Sequence, residues 1–151
     1  MTINRDAERK PISSTKRNGI AKVYDYYGAS GIIDKIDNFI FSEKLLLIGE
    51  DGANLVTRSK PIAFFANGKY WVNNHAHCID SLKKEYLDYL CIYINAIDLS
   101  KYITGSAQPK MTQDNLNSIL IPFPPYAEQI RIVKAIETAF AQLDEISNSI
   151  A

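Results

Sequence analysis

Nine residues, Val72 to Asp80 (VNNHAHCID), concentrate the side chains best suited to chemistry: Asn73, Asn74, His75, His77, Cys78 and Asp80. His75 and His77 are the only histidines in the chain. On an extended strand the two rings point to one side and Cys78 to the other. Two imidazoles, with Asp80 as a possible third donor, fall short of the four ligands of a closed zinc site. No bound metal is expected. Two readings stay open. In one, a ring packs or caps while the other is solvated, and the motif ties loops together by hydrogen bonds. In the other the motif contacts a ligand, since asparagine and histidine carry paired donors and acceptors suited to base edges and phosphates.

A second candidate is IGEDGAN, where Glu50 and Asp51 sit at a strand end. Acid–base work or Mg²⁺ binding needs a further group brought near by the fold. Glu50, Asp51 and Lys69 would make a small nuclease, but no spacing supports it. The plainer reading is an Asp-Gly turn with solvated acids. YYGASGI lacks the glycine order of a dinucleotide fingerprint, and no serine, cysteine or lysine nucleophile has a recognisable setting. No catalytic residue is assigned.

Five polar loops, STKRNG, YYGASG, EDGANLVTR, NNHAH and GSAQPK, share Lys, Arg, Asn, Gln, Ser, Tyr, His and Gly. Arg, Lys, Asn and Gln pair with bases and phosphates, and Gly allows close backbone approach. Gathered on one face, these loops would form a DNA-reading surface. Its phosphate or base contacts would come from Lys16, Arg17, Arg58 and Lys110. Asn73, Asn74, His75 and His77 would lie on or beside that face. Tyr26, Tyr27, Ser30, Asn54 and Gln108 form a second tier, because the tyrosines suit a core equally well.

The elements that must carry these loops follow from period and turn signals. Residues 1–19 are polar and read as a loop or extended arm. IAKVYDYY reads as a strand entering the Gly28–Gly31 turn, and FIFSEKLLLIG as one or two strands. PIAFFANGKYWVNN reads as a hairpin about Asn67-Gly68, which puts NNHAH at the end of its second strand. Residues 83–98 repeat apolar side chains at three and four, an amphipathic helix. QDNLNSILIPFPP carries a helical turn and a strand-like run stopped by prolines. From Tyr126 a long helix aligns Val133, Ile136, Phe140, Leu143 and Ile150, with Ser147 interrupting, close to a coiled-coil seam. A seam that continues to Ala151 without a cap implies a cut chain or a seam that needs a partner. The expected class is α+β: a small unit with a mixed, hairpin-rich sheet and short helices, then a C-terminal coiled-coil-like helix.

A chain of 151 residues with 46% hydrophobic content can bury a core without staples. The 17 basic and 17 acidic residues balance, which argues against a generally basic nucleic-acid binder. The charge is nevertheless uneven. Basic residues outnumber acidic ones five to two over 1–20, and the reverse holds over 111–151. Cys78 and Cys91 lack C-x-x-C spacing and read as small apolar groups in a reducing compartment. No secretory signal or membrane span is evident, so a cytoplasmic location is expected.

In the order YYGASGI, IGEDGAN, NNHAH and GSAQPKMTQDNLNSILIPFPPYAEQIRIV, the chain resembles the specificity (S) subunit of type I restriction-modification systems. The resemblance runs from about Ile12 to the C-terminus. It is sharpest where GSAQPK is followed by IPFPPYAEQIRIV. It implies a DNA target recognition domain over 1–124 and a spacer or dimerisation helix over 125–151. It further implies a non-catalytic subunit that reads half of a bipartite double-stranded DNA site. Methyltransferase (M) subunits would dock near Glu128, Gln129 and the helix and would bind S-adenosylmethionine themselves. A restriction (R) subunit completes such a system. The family's subunit has two recognition domains and two helices. One of each here implies half a subunit, a fragment or a single-domain version, and a homodimer through the helix. A helix-mediated interaction protein is a third alternative, separated by its failure to bind DNA.

Overall fold

The structure, a computed structural model, describes residues 2–150. Its centre is the run LLLIG, strand β4 (Leu45–Gly49), in which all five residues are buried. Such a run suits a strand covered on both faces. Alternation then divides it: Leu46 and Ile48 enter one core, Leu45 and Leu47 the other.

Two sheets and a helix make three layers. The first sheet contains β1 (Thr2–Asn4), β4, β5 (Ala63–Ala66) and β7 (Ala76–Ser81), in the order β1-β7-β4-β5 and antiparallel throughout. The second contains β2 (Tyr24–Gly28), β3 (Gly31–Ile36) and β6 (Tyr70–Val72), with β2 central, antiparallel to β3 and parallel to β6. Between the sheets lie Tyr27, Phe41, Leu45, Leu47, Tyr70, Val72 and Cys78. Helix α3 (Glu85–Ala96) covers the outer face of the first sheet with Leu87, Leu90 and Ile94, joined there by Met111 and Leu116. The expected α+β class is therefore observed.

Three local readings change. PIAFFANGKYWVNN turns at Asn67-Gly68, where Gly68 has a positive φ of 75°, but β5 and β6 do not pair. The turn passes the chain from one sheet to the other. Of the arm read over 1–19, the described part from residue 2 onward is built into the fold. It supplies β1, a 3-10 turn at Asp6–Glu8 and the short helix α1 (Ser14–Arg17). After α2 (Asn54–Thr57) and α4 (Gln113–Asn117), the run 118–125 forms no strand.

Helix α5 (Tyr126–Ile150) starts directly after Pro125, a residue suited to the edge of a first helical turn. Its first half packs on α3 and leaves Val133 and Ile136 half-buried, whereas all residues from 137 to 150 are exposed. Among the described residues no helix is long and apolar enough to cross a membrane.

Candidate nucleic-acid interface

Four of the polar segments meet around one pair of recesses. The shallower, about 290 Å³, is lined by Gly28, Ser30 and Ile33 of the β2–β3 hairpin, by Asp51 to Asn54, and by Asn73 and His75. The adjoining one, about 550 Å³, shares Ile33, Asn73 and His75 and adds Asn74, Tyr26, Pro11 to Ser14, and Arg17. The fifth segment is fastened alongside. Gly52 N–H donates to Pro109 O at 3.0 Å and Met111 N–H to Glu50 O at 2.7 Å. Within it, Gly105 has a φ of 81°, and a Cβ there would lie 2.5 Å from Gln108 O, so only glycine closes the turn.

The N-terminal strap holds this arrangement together. Asp6 accepts from Cys78 N–H at 2.7 Å and lies 2.6 Å from His77 Nδ1. Arg9 donates to Glu50 Oε2 and to Ala76 O, each at 2.7 Å. Further along, Lys10 O accepts from Trp71 Nε1, and Ile12 N–H donates to Tyr26 Oη at 2.9 Å. The strap thus grips the first sheet and then the second, and delivers Lys16 and Arg17 to the rim. Burial pushes the Asp6 carboxyl up, but the His77 contact, the Cys78 N–H and the charge of Arg9 outweigh it and hold it below its ordinary range.

Asp6, Glu50 and His77 stand close enough to suggest a cation site. Protein cations already fill that place: Arg9 pairs with both acids, and Lys110 Nζ lies 3.3 Å from Glu50. Asp51 is engaged by His75, at 2.8 and 3.0 Å from Nδ1. Lys69 does not join them; its ammonium sits over the Phe39 ring at 4.8 Å. The nuclease alternative finds no catalytic arrangement here.

The candidates divide by position. Lys16, Asn74 and Gln108 are exposed, and Ser30 and His75 are half-buried on the recess rim. Arg17 stacks 4.5 Å above Tyr26 and donates to Asp34 at 2.8 Å, so its guanidinium is oriented before any ligand arrives. His77 is not a surface group. Its ring is 1% exposed, and its Nε2 lies 2.8 Å from Met111 O. Asn73 is also buried, and its side chain accepts from His75 N–H at 2.8 Å. Here the loop-tying reading of NNHAH holds. Tyr26 and Tyr27 belong to the interior; Tyr27 lies against Phe64 and Tyr70.

Asn54 is spent on its own turn, bonding Ser59 and the Lys60 backbone. Arg58 bonds the carbonyls of Asn95 and Ile97 at the end of α3, away from the recess lining. Gln129 is 1% exposed and donates to Pro124 O at 2.8 Å, so its side chain cannot serve as a docking contact. Glu128 pairs with Arg131 on the helix surface. Cys78 and Cys91 are free thiols, pushed by burial up to about 12 and about 11.

Sequence reading missed Asp6, Arg9 and Asp51 as the groups that fix this face. The one local hint was the Asp6–Arg9 spacing of three.

Comparison with known proteins agrees with the fold. The chain is 33% identical over 138 residues to a putative type I restriction enzyme specificity subunit of Haemophilus influenzae, covering 91% of this chain and 34% of that protein. It is 25% identical over 130 residues to the EcoprrI type I specificity subunit of Escherichia coli, covering 85% and 30%. The chain therefore spans about a third of the length of these relatives. The crystal structure of a type I S subunit from M. genitalium superposes with a TM-score of 0.68 at 12% identity, over 98% of this chain and 41% of that one. A second structure, describing assembly and conformational transition of the type I system, gives 0.63 at 18%, over 98% and 37%. Residues 3–151 match the type I restriction modification DNA specificity domain, and the chain belongs to that family.

Proposed function

We propose that this chain is a non-catalytic DNA-reading module. It binds one half-site of a bipartite double-stranded target and directs a type I adenine methyltransferase to it. The observation that carries this reading is the convergence of four separate polar segments on the recess beside His75, with the 105–110 loop fastened to its edge. Family membership supplies the context. Loops on a rigid two-sheet scaffold suit recognition, because the sheets hold the loops while side chains vary. Lys16 is an exposed cation on α1 beside the recess, and Arg17, which lines it, and Lys110 are cations held in place by Asp34 and Glu50.

In this reading residues 1–124 are the recognition unit and 125–151 the spacer helix. Methyltransferase subunits dock along that helix near Glu128 and bring S-adenosylmethionine. A restriction subunit joins the assembly, and the complex works in the prokaryotic cytoplasm. The exposed stripe of α5 supports self-association into a homodimer.

The test is selection from a randomised duplex library, with the chain alone and with its methyltransferase subunits, followed by sequencing. An enriched interrupted motif that is also adenine-methylated in cells is the expected outcome. No enrichment in either setting overturns the reading. So does Mg²⁺-dependent cleavage by the chain alone that is lost in Glu50→Gln.

A further inference from the structure

His75 is held from three sides. Its N–H donates to Asn73 Oδ1 at 2.8 Å, and its carbonyl accepts from Glu50 N–H at 2.9 Å. Its Nδ1 meets both oxygens of Asp51, at 2.8 and 3.0 Å. Backbone and ring are therefore both fixed. The side chain remains 46% exposed and lines both recesses. Among the described residues no protein group bonds Nε2.

An ionised carboxylate only accepts hydrogen bonds, so Asp51 places a proton on Nδ1. The partner of one ring nitrogen sets the chemistry of the other. Only Nε2 is left to meet a ligand, and its character depends on one proton. Without it, Nε2 accepts. With it, Nε2 donates from a cation. Asp51 faces the ring directly; Arg17 of α1 lines the same recess, Glu50 of the β4–α2 loop holds the His75 carbonyl through its N–H, and Lys110 bridges Asp51 through its backbone. Arg17 is paired with Asp34, and Lys110 with Glu50. Asp51 has His75 as its side-chain partner. A negatively charged duplex entering the recess adds to the pull of Asp51 and favours the cation.

Resting on the DNA-reading function above, we infer that His75 and Asp51 form a reading dyad. Asp51 orients the ring, and His75 takes up a proton as DNA binds. Nε2–H then donates to an acceptor on the duplex, either guanine N7 or O6 in the major groove or a phosphate oxygen. Asp51 is a positioning residue, and His75 is the contact.

Proton uptake sets the sign. Coupled proton uptake makes binding strengthen as pH falls. One proton gives at most about tenfold per pH unit. The experiment is fluorescence anisotropy with the full chain and the selected duplex, at pH 5.5 to 8.5 and constant ionic strength. Wild type, His75→Gln and Asp51→Asn are compared, with circular dichroism as the check on folding. Wild type should tighten several-fold from pH 8 to pH 6. His75→Gln should be flat over the same range. Asp51→Asn, which keeps an acceptor for Nδ1–H but lacks the charge, should shift the dependence to lower pH. Repeating the series on a scrambled duplex identifies the acceptor. Equal loss on both duplexes in His75→Gln marks a phosphate; loss on the selected duplex alone marks guanine. A wild type that binds but shows no pH dependence, or a His75→Gln that keeps the wild-type dependence, overturns the dyad. A wild type that binds no duplex at any pH instead removes the DNA-reading function itself.

Discussion

Asp6 and His77, 71 residues apart in sequence, meet 2.6 Å apart in the interior, the ring 1% and the carboxylate 8% exposed. The same carboxylate accepts from Cys78 N–H and faces Arg9. Asp6→Ala leaves these donors without their acceptor and should cost roughly 3 kcal/mol, the scale of breaking a buried ion pair. The pH dependence follows from the lowered Asp6 carboxyl, which burial opposes and its three partners enforce. A carboxyl depressed in the folded state contributes stability that is fully present above its unfolded value of about 4 and is lost as pH falls through the folded value. Urea denaturation of wild type and Asp6→Asn should therefore show a gap at pH 6 that narrows as pH falls below about 4. A gap that stays constant or widens as the pH is lowered would contradict this account.

Gly49 ends β4 directly under the β2–β3 turn. A Cβ at this position would stand 2.8 Å from Ala29 O, a backbone atom that cannot swing aside. Gly49→Ala forces the turn away from the sheet, with an overpacking cost of about 1–3 kcal/mol. Ser30 rides on that turn. The variant should lose thermal stability and also bind DNA more weakly at temperatures where it stays folded. Normal affinity in a destabilised variant would separate the turn from the recognition face.

Lys16 and Arg58 should behave differently although both are exposed cations. Lys16 stands on α1 at the rim. Lys16→Ala should weaken binding to any sequence and flatten the log–log salt dependence by about one unit, as loss of one phosphate contact requires. Arg58 instead bonds the carbonyls of Asn95 and Ile97 at the end of α3. Arg58→Ala should leave the salt slope unchanged and lower stability by about 1 kcal/mol, the scale of lost hydrogen bonds. A reduced slope in Arg58→Ala would return that residue to the DNA face.

What was legible in the sequence was what repeats locally. Apolar spacing located α3 and α5, and the apolar run FIFSEKLLLIG marked a strand where β4 lies, without showing that it is buried on both faces. Asn67-Gly68 correctly signalled a reversal. It could not signal that β6 pairs with β2, more than forty residues upstream, because a turn dipeptide specifies a bend and not a partner. The same limit hid the strap. Asp6 and Arg9 sit in a stretch as polar as a free arm, and only the fold brings them to His77 and Glu50. NNHAH was recognised as a special cluster, yet its division could not be read. His77 turns inward on β7, while His75, just before the strand, stays at the rim. The recess rests on four segments whose likeness of composition was visible but whose meeting is a property of both sheets together.

Helix α5 leaves the domain carrying Phe140, Leu143, Ile146 and Ile150 at 63, 58, 55 and 81% exposure. The stripe begins on the domain, where Val133 and Ile136 pack toward α3, and then loses its cover. Ile146 belongs to it, although the seam read from sequence omitted that residue. A lone helix cannot bury such a stripe against itself, and a contiguous apolar surface of this kind marks an interface. A second copy related by a two-fold axis would cover it with the same residues, the commonest arrangement in soluble homo-oligomers. Glu137, Asp144 and Glu145, with no basic residue from 135 to 150, place like charges along both helices. Association should therefore tighten as salt rises, since screening weakens that repulsion while the apolar contact remains. Sedimentation at low and high salt, with and without the methyltransferase subunits, measures it. The wild type should shift toward a dimer, and a Phe140→Glu, Leu143→Glu double variant should stay monomeric with its domain folded. Two identical modules would then select an interrupted palindrome. A wild type that remains monomeric in every setting, or a methylated site without two-fold symmetry, rules the arrangement out.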